Sequence, residues 1–298
     1  MNQPLSHLIL EKYQVRKTQK QKDAFINLLR AHYPDLLVEE GGFPRHRNLI
    51  LGDLEQANVV FTAHYDTCAL SLFPNIIMPY RKGLRMAYTF AALLPILIPT
   101  VALILGLRLF GAGQAVTVAA GIGLYYALYF GKFFGGIPNP HTANDNTSGI
   151  LTLLEIYEQE KAQRAAFVFF DNEEIGCAGS AWFHKQHKSL MENKLLVNFD
   201  CVGDGKEFLL VTSEDVPMNA ITNAFAGENV HFDTAKNANH SSDHKHFKQF
   251  CSVLAVTPSK NLGLHTGRIH TPRDTVLDMD NITYLAECAL RLLAEMER

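Results

Sequence analysis

The side chains able to do chemistry in this sequence are histidines and carboxylates, gathered in short clusters that follow apolar runs. TAHYDT sets His64 two residues before Asp66, so both project to one side of an extended segment. NPHTANDNTSGI carries Asp145 in an Asn- and Ser-rich loop just before a helical pattern. FFDNEEIGCAGS places adjacent Glu173 and Glu174 behind a strand pattern, and like charges side by side point to a cation or a raised pKa. NFDCVGD ends an apolar run in Asp200, and RIHTPRDT puts His270 four residues before Asp274, a candidate to orient its ring. Each cluster alone has a plainer reading. His-x-Asp recurs in turns, Asp145 suits a helix cap, Asp200 suits a strand end, and the two glutamates suit a solvated loop. The set is more specific than its members. His, Asp, Glu, Asp and His at the ends of different elements supply nitrogen and oxygen ligands for two divalent cations of zinc type. One carboxylate can bridge such a pair, and a neighbouring carboxylate that binds no metal can take a proton from the activated water.

Short aliphatic runs at 48–53, 58–66, 165–171, 195–200, 207–213 and 251–257 read as strands, and 18–33, 147–162, 178–193, 216–226 and 277–297 as helices. Nearly continuous apolar strands alternating with helices predict an α/β fold: a mixed, mostly parallel central sheet with helices on both faces. Ligands in such sheets sit beyond the carboxyl ends of the strands, which is where the clusters fall. In the helix at 18–33, Phe25, Leu28 and Leu29 share one face. Arg16, Lys17, Lys20 and Lys22 beside it form either a solvated helix start or a contact for anionic lipid.

Residues 86–131 contain one charged residue, Arg108, in a chain that is 19% charged. The stretches 86–107 and 109–131 are each long enough, at about 1.5 Å per residue, to cross the ~30 Å hydrocarbon core of a bilayer. Pro95 and Pro99 are tolerable there as kinks, Gly111, Gly113 and Gln114 can form the turn, and Tyr125, Tyr126 and Tyr129 suit the far interface. Arg81, Lys82, Arg85 and Lys132 flank the open ends, so the positive-inside rule predicts a two-span cell-membrane protein with its catalytic domain in the cytoplasm. The domains expected are 1–80 with 137–298, and the hairpin insert 81–136. A buried helical hairpin in a soluble protein is the plainer reading. The hairpin's small residues also offer a pairing surface for a second copy of the chain. A net charge of −3 argues against nucleic acid as a partner. Five scattered cysteines without a CxxC pair, and an N-terminus without an apolar signal core, predict no disulfides, no cysteine zinc site and no secretory signal.

The order HYD, NDNTSG, EEIGCAGS, NFD, SDHKHF and HTPRDT resembles metallopeptidase family twenty-eight, the two-zinc aminopeptidases, which also includes carboxypeptidases and glutaminyl cyclases. The resemblance spans the chain apart from roughly 80–137 and implies a zinc-exopeptidase-like fold. It implies that His64 and Asp200 bind one Zn2+ and Glu174 and His270 the other, with Asp145 bridging. Glu173 would be the general base and acid, and Asp66 the carboxylate that orients His64. Asp243 and His244 match the family's Ser-Asp-His stretch near the site, whereas His240 and His246 read as hydrogen-bonded or surface groups. His265 is either a substrate contact or a solvated loop residue. Other divalent metals suit the same ligands. The departure is the insert: 78 residues separate Asp66 from Asp145, where family members have a much shorter loop. The function implied is a membrane-anchored zinc exopeptidase, an aminopeptidase acting on peptides. The alternatives are a glutaminyl-cyclase-like aminoacyl cyclase working with one zinc, and a catalytically silent membrane scaffold.

Overall fold

The computed structural model describes residues 4–71, 73–133, 136–160 and 164–297. Its centre is a mixed sheet. The strands lie in the order β1 (Leu37–Gly41), β2 (His46–Leu51), β5 (Ala165–Phe170), β3 (Val59–His64), β6 (Leu195–Phe199), β9 (Phe250–Ser259), β10 (Gly263–Ile269) and β4 (Asn75–Ile77). A branch adds β7 (Glu207–Thr212) antiparallel to β9, and β8 (Val230–Thr234) parallel to β7. β5, β3, β6 and β9 are mutually parallel, while β1, β2, β4 and β10 pair antiparallel. Parallel pairing therefore describes the middle of the sheet and not its flanks.

Alternation along the central strands sets the two faces. Val59, Phe61 and Ala63 point into the larger core beneath α2 (Gln19–His32), α5 (Gly149–Gln159) and α8 (Met279–Glu295). Val60 points into the smaller core beneath α6 (Ala178–Met191). Phe61 sits between Phe167 and Phe199, with ring centroids 5.6 and 6.1 Å away. Each such buried ring contributes roughly 1.5–3 kcal/mol relative to exposure. In register, His64 lies opposite Phe170 and Thr62 opposite Asn198. The parallel centre thus brings His64, the segment after Phe170 and Asp200 to one edge of the sheet.

The N-terminal segment is anchored to that edge. α1 (Leu5–Lys12) precedes α2, which starts with a capping box between Thr18 and Gln21. Arg16 and Lys22 are buried, contrary to both the solvated and the lipid-facing expectation. Arg16 donates from Nε to Tyr65 O at 2.5 Å and from Nη2 to Thr147 Oγ1 at 3.1 Å. Lys22 Nζ pairs with Asp171 and donates to Asn172 Oδ1 at 2.9 Å. A buried carboxylate stripped of its partner is costly, so Lys22→Met is expected to lose about 3–5 kcal/mol of stability. A denaturant midpoint equal to that of the parent protein would refute this.

α3 (Lys82–Leu109) and α4 (Gln114–Phe133) are packed against one another and joined by a turn in which Gly111 has φ +78°. The approach is close: a Cβ on Gly121 would lie 2.6 Å from the Ile104 side chain. The apolar surface faces outward, with Phe90, Ile98, Leu105 and Val116 all exposed. Among the described residues one helix, α3, is long and apolar enough to cross a membrane, with a mean hydropathy of 2.5 over its best window.

Candidate metal centre

Each cluster identified in the sequence arrives at the edge of the sheet on a different element. β3 ends in His64, the turn Glu173–Ile175 follows β5, Asp200 follows β6, His270 follows β10, and Asp145 lies in the wide turn Ala143–Ser148 before α5. Asp145 sits between the two histidines. Its Oδ1 is 3.2 Å from His64 Nε2 and its Oδ2 is 3.1 Å from His270 Nε2. Asp200 Oδ1 stands 3.6 Å from His64 Nε2, and Glu174 Oε2 stands 3.3 Å from His270 Nε2. The donors therefore form two groups, His64–Asp145–Asp200 and Glu174–His270, the latter joined by Cys68. The cysteine was not expected there.

The donor set fits divalent cations on two observations. Glu174 Oε1 is buried and, among the described residues, has no hydrogen-bond partner. The carboxylates also crowd together out of water, where only a compensating positive charge makes them tolerable. Burial disfavours protonation of His64, yet hydrogen bonds with Asp145, Asp200 and Asp66 outweigh it and hold its pKa well above the usual value. His270 is opposed in the same way by burial and raised to about 9 by Glu174 and Asp145. Arg16 contributes charge from behind, close enough to Asp66 and Asp145 to sense both.

The supports are as ordered as the donors. His64 Nδ1 faces the backbone oxygen of Asp66 at 3.1 Å, with the Asp66 carboxylate at 3.6 Å, which turns Nε2 toward the cluster. The same carboxylate accepts the backbone N–H groups of Glu173 (2.9 Å) and Glu174 (3.2 Å), so Asp66 positions both glutamates. Asn172 and Cys177, which bracket the glutamate turn, both have left-handed backbones at φ 59° and 60°, as does His270 at 63°. Such strain is held only where surrounding contacts over-determine it. Asp274 accepts the backbone N–H groups of Asn144 (2.8 Å) and Asp145 (3.1 Å), so it fixes the Asp145 loop and not the His270 ring, as its spacing had suggested. Burial and the Asp145 charge push Asp274 up to about 7.

Glu173 lines the cavity with these residues but belongs to neither donor group. Burial raises its carboxyl to about 7, with Asp200, Asp66 and Asp145 adding and His64 opposing. Asp243 and His244 are fully buried behind the site. Burial and Glu173 raise Asp243 well above the carboxylate range, and burial holds His244 neutral. His240 is buried at the cavity wall, within reach of Ser252 Oγ at 3.2 Å, whereas His265 lies on β10 beside Gly263 and lines neither cavity described here. Two asparagines stand out that the sequence did not single out. Asn144 Oδ1 accepts from the N–H groups of Gly203 and Asp204, and Asn146 Oδ1 from those of Gly149 and Cys201. Their flanking of Asp145 was the available signal, since Asn side chains commonly satisfy loop backbone.

The cavity holds about 200 Å³ and opens beside a second of about 230 Å³, and helix α3 lines both. No curated protein matches the chain in sequence. Solved structures resemble it at low identity. The Legionella pneumophila LapA aminopeptidase superposes with a TM-score of 0.58 at 14% identity, over 98% of this chain and 69% of that one. A Zn-dependent exopeptidase from Parabacteroides distasonis gives 0.57 at 16% identity, covering 97% and 94% of the two chains. Porphyromonas gingivalis glutaminyl cyclase gives 0.57 at 15% identity, covering 98% and 97%. At such identities the likeness establishes the fold. A family model, Peptidase family M28, matches residues 129–293. That match takes in the clusters of Asp145, Glu173–Glu174, Asp200 and His270, and the fold adds His64 and Asp66 from outside it. Covering more than half of the sequence, it establishes that the chain belongs to peptidase family M28 and is a metallopeptidase, a hydrolase of peptides.

Proposed function

We propose that the protein is a membrane-anchored aminopeptidase that holds two Zn2+ ions between His64, Asp200, Glu174, His270 and a bridging Asp145. The supporting observation is the position of Asp145, one oxygen on each histidine, with Glu173 in the same cavity outside both donor groups. Zinc-type ions at such a site lower the pKa of water and polarise the scissile carbonyl. Glu173 accepts the proton of the attacking water and returns it to the leaving amine, a task suited to a carboxyl poised near neutrality. Asp66 keeps His64 in the required tautomer and aims the glutamate turn. Asp274 and the two asparagines hold the Asp145 loop so that its carboxylate needs no rearrangement.

The test is hydrolysis of unblocked and N-acetylated peptides by detergent-purified protein, before and after chelation and zinc restoration. Zinc-restored cleavage of unblocked peptides alone is expected, and equal cleavage of acetylated ones would rule out an aminopeptidase. The cyclase reading draws support from the Porphyromonas gingivalis glutaminyl cyclase fold and predicts turnover of an N-terminal glutaminyl substrate instead.

The catalytic domain is residues 1–80 with 137–298, and 81–136 is the anchor, entering the bilayer through residues 86–131 as two spans. Exposed apolar side chains along α3 and α4 support this reading, because an aqueous surface rarely carries so large a patch. The turn then faces away from the cytoplasm. The native cysteines are all buried, so a cysteine placed there by Ala112→Cys is the accessible thiol. In intact cells a membrane-impermeant thiol reagent is expected to label it. Protection in intact cells with labelling after lysis would reverse the orientation.

A further inference from the structure

The inserted helix does more than leave the domain. Arg85, in its first turn, lines the same cavity as His64, Asp145, Glu173, Asp200 and His270. It also lies close enough to the buried His240 to disfavour that ring's protonation. Its Nη1 donates to Asn239 O at 2.7 Å, and among the described residues no carboxylate pairs with it. A half-buried guanidinium without a counter-ion carries an uncompensated desolvation cost, and its planar fork matches a carboxylate in two parallel hydrogen bonds. The missing charge is one a ligand can bring.

The second cavity is independent of Arg85. Leu70 and Phe73 from the domain and Tyr88, Thr89 and Leu93 from α3 line it beside Glu174 and His270. Its lining is mostly apolar and does not include Arg85, and it meets the Glu174–His270 donor group. Both cavities are below the roughly 300–1,000 Å³ of a site for a drug-sized ligand, so each suits one side chain or one end group. A peptide with its scissile carbonyl at the cluster would place an apolar N-terminal side chain in the second cavity. The following residue then carries its α-carboxylate at a fixed distance from the scissile bond, whatever its side chain.

We propose that Arg85 binds the C-terminal carboxylate of a short peptide, making the enzyme selective for dipeptides with an apolar first residue. The inference rests on the peptidase reading above and adds the substrate class. It also gives the insert a role in recognition: the helix that enters the bilayer supplies the anion clamp.

The test uses full-length, zinc-loaded protein in detergent and compares kcat/KM for leucyl-leucine, leucyl-leucinamide and leucyl-aspartamide. The free acid is expected to exceed leucyl-leucinamide by about 10–100-fold, the range for hydrogen bonds to a charged group. Arg85→Met is expected to bring that ratio to about one, and Arg85→Lys to retain part of it, because ammonium keeps the charge without the fork. The ratio in the parent protein needs no variant, and it reports recognition where a merely structural Arg85 would affect both substrates alike. Calorimetric binding of leucyl-leucine to Glu173→Gln protein, with and without Arg85→Met, gives the same comparison without turnover. A ratio near one in the parent protein, or one unchanged by Arg85→Met, overturns the proposal while leaving the peptidase standing. Preference for leucyl-aspartamide over leucyl-leucinamide equal to that for the free acid assigns Arg85 to a side-chain carboxylate and overturns the C-terminal assignment. No hydrolysis of any of the three overturns the aminopeptidase reading, and this one with it.

Discussion

Glu173→Gln is expected to lower kcat by about 10²–10⁴-fold, the usual contribution of a positioned general acid–base group, while the metal content stays at the parent value. The substitution keeps the shape and removes the ability to carry a proton. Glu173 stands in the cavity but in neither donor group, so metal affinity does not depend on it. Its backbone N–H is tied to Asp66 Oδ1 at 2.9 Å, a bond that Gln preserves. The neighbouring change, Glu174→Gln, is expected to behave differently and to lose metal, because Glu174 Oε2 lies 3.3 Å from His270 Nε2 and its other oxygen is buried and unpartnered. Metal analysis beside steady-state kinetics separates the two. A metal-replete Glu173→Gln protein with near-parent kcat would remove Glu173 from the proton path.

The clusters were legible because their chemistry is local. His64, Glu173, Glu174 and Asp200 end or follow an apolar strand and Asp145 precedes a helix, and parallel strands carry such ends to one edge, whereas His270 was marked by its motif alone, at the end of the antiparallel β10. The central strands β3, β5 and β6 were legible for the same reason, as unbroken aliphatic runs buried on both faces. The flanks were not. β1, LVEEG, β8, VHFDT, and β10, GLHTGRI, mix polar and apolar residues in half-exposed strands that acquire their conformation from a neighbour. The three-residue β4 has too little sequence to carry a pattern. Arg16 and Lys22 escaped because a buried cation is recognisable only by its partners. Tyr65 lies 49 positions from Arg16, and Asp171 lies 149 from Lys22. Arg85 escaped because it reads as one of several basic residues flanking an apolar span. Only the folded chain shows that it faces the metal cavity.

Asp145→Ala is expected to reduce the metal bound from two ions per chain to at most one and to abolish peptide hydrolysis. The argument is one of geometry. Asp145 Oδ1 approaches His64 and Oδ2 approaches His270, so its loss removes a donor from both groups at once. His64→Ala, in contrast, takes a donor from one group and leaves Glu174 beside His270, with Asp145 Oδ2 still 3.1 Å from the same ring. The Asp145 loop is held through backbone N–H groups by Asp274 and through side chains by Asn146, so the alanine variant keeps its fold and its deficit is read in metal content. The same measurement on the parent protein discriminates between the two enzymatic readings. Two ions per chain match a carboxylate that serves both histidines, and they favour hydrolysis. One ion per chain, unaffected by His64→Ala but lost on Glu174→Gln, would leave the His64 group without a metal and shift the reaction to cyclisation of an N-terminal glutamine.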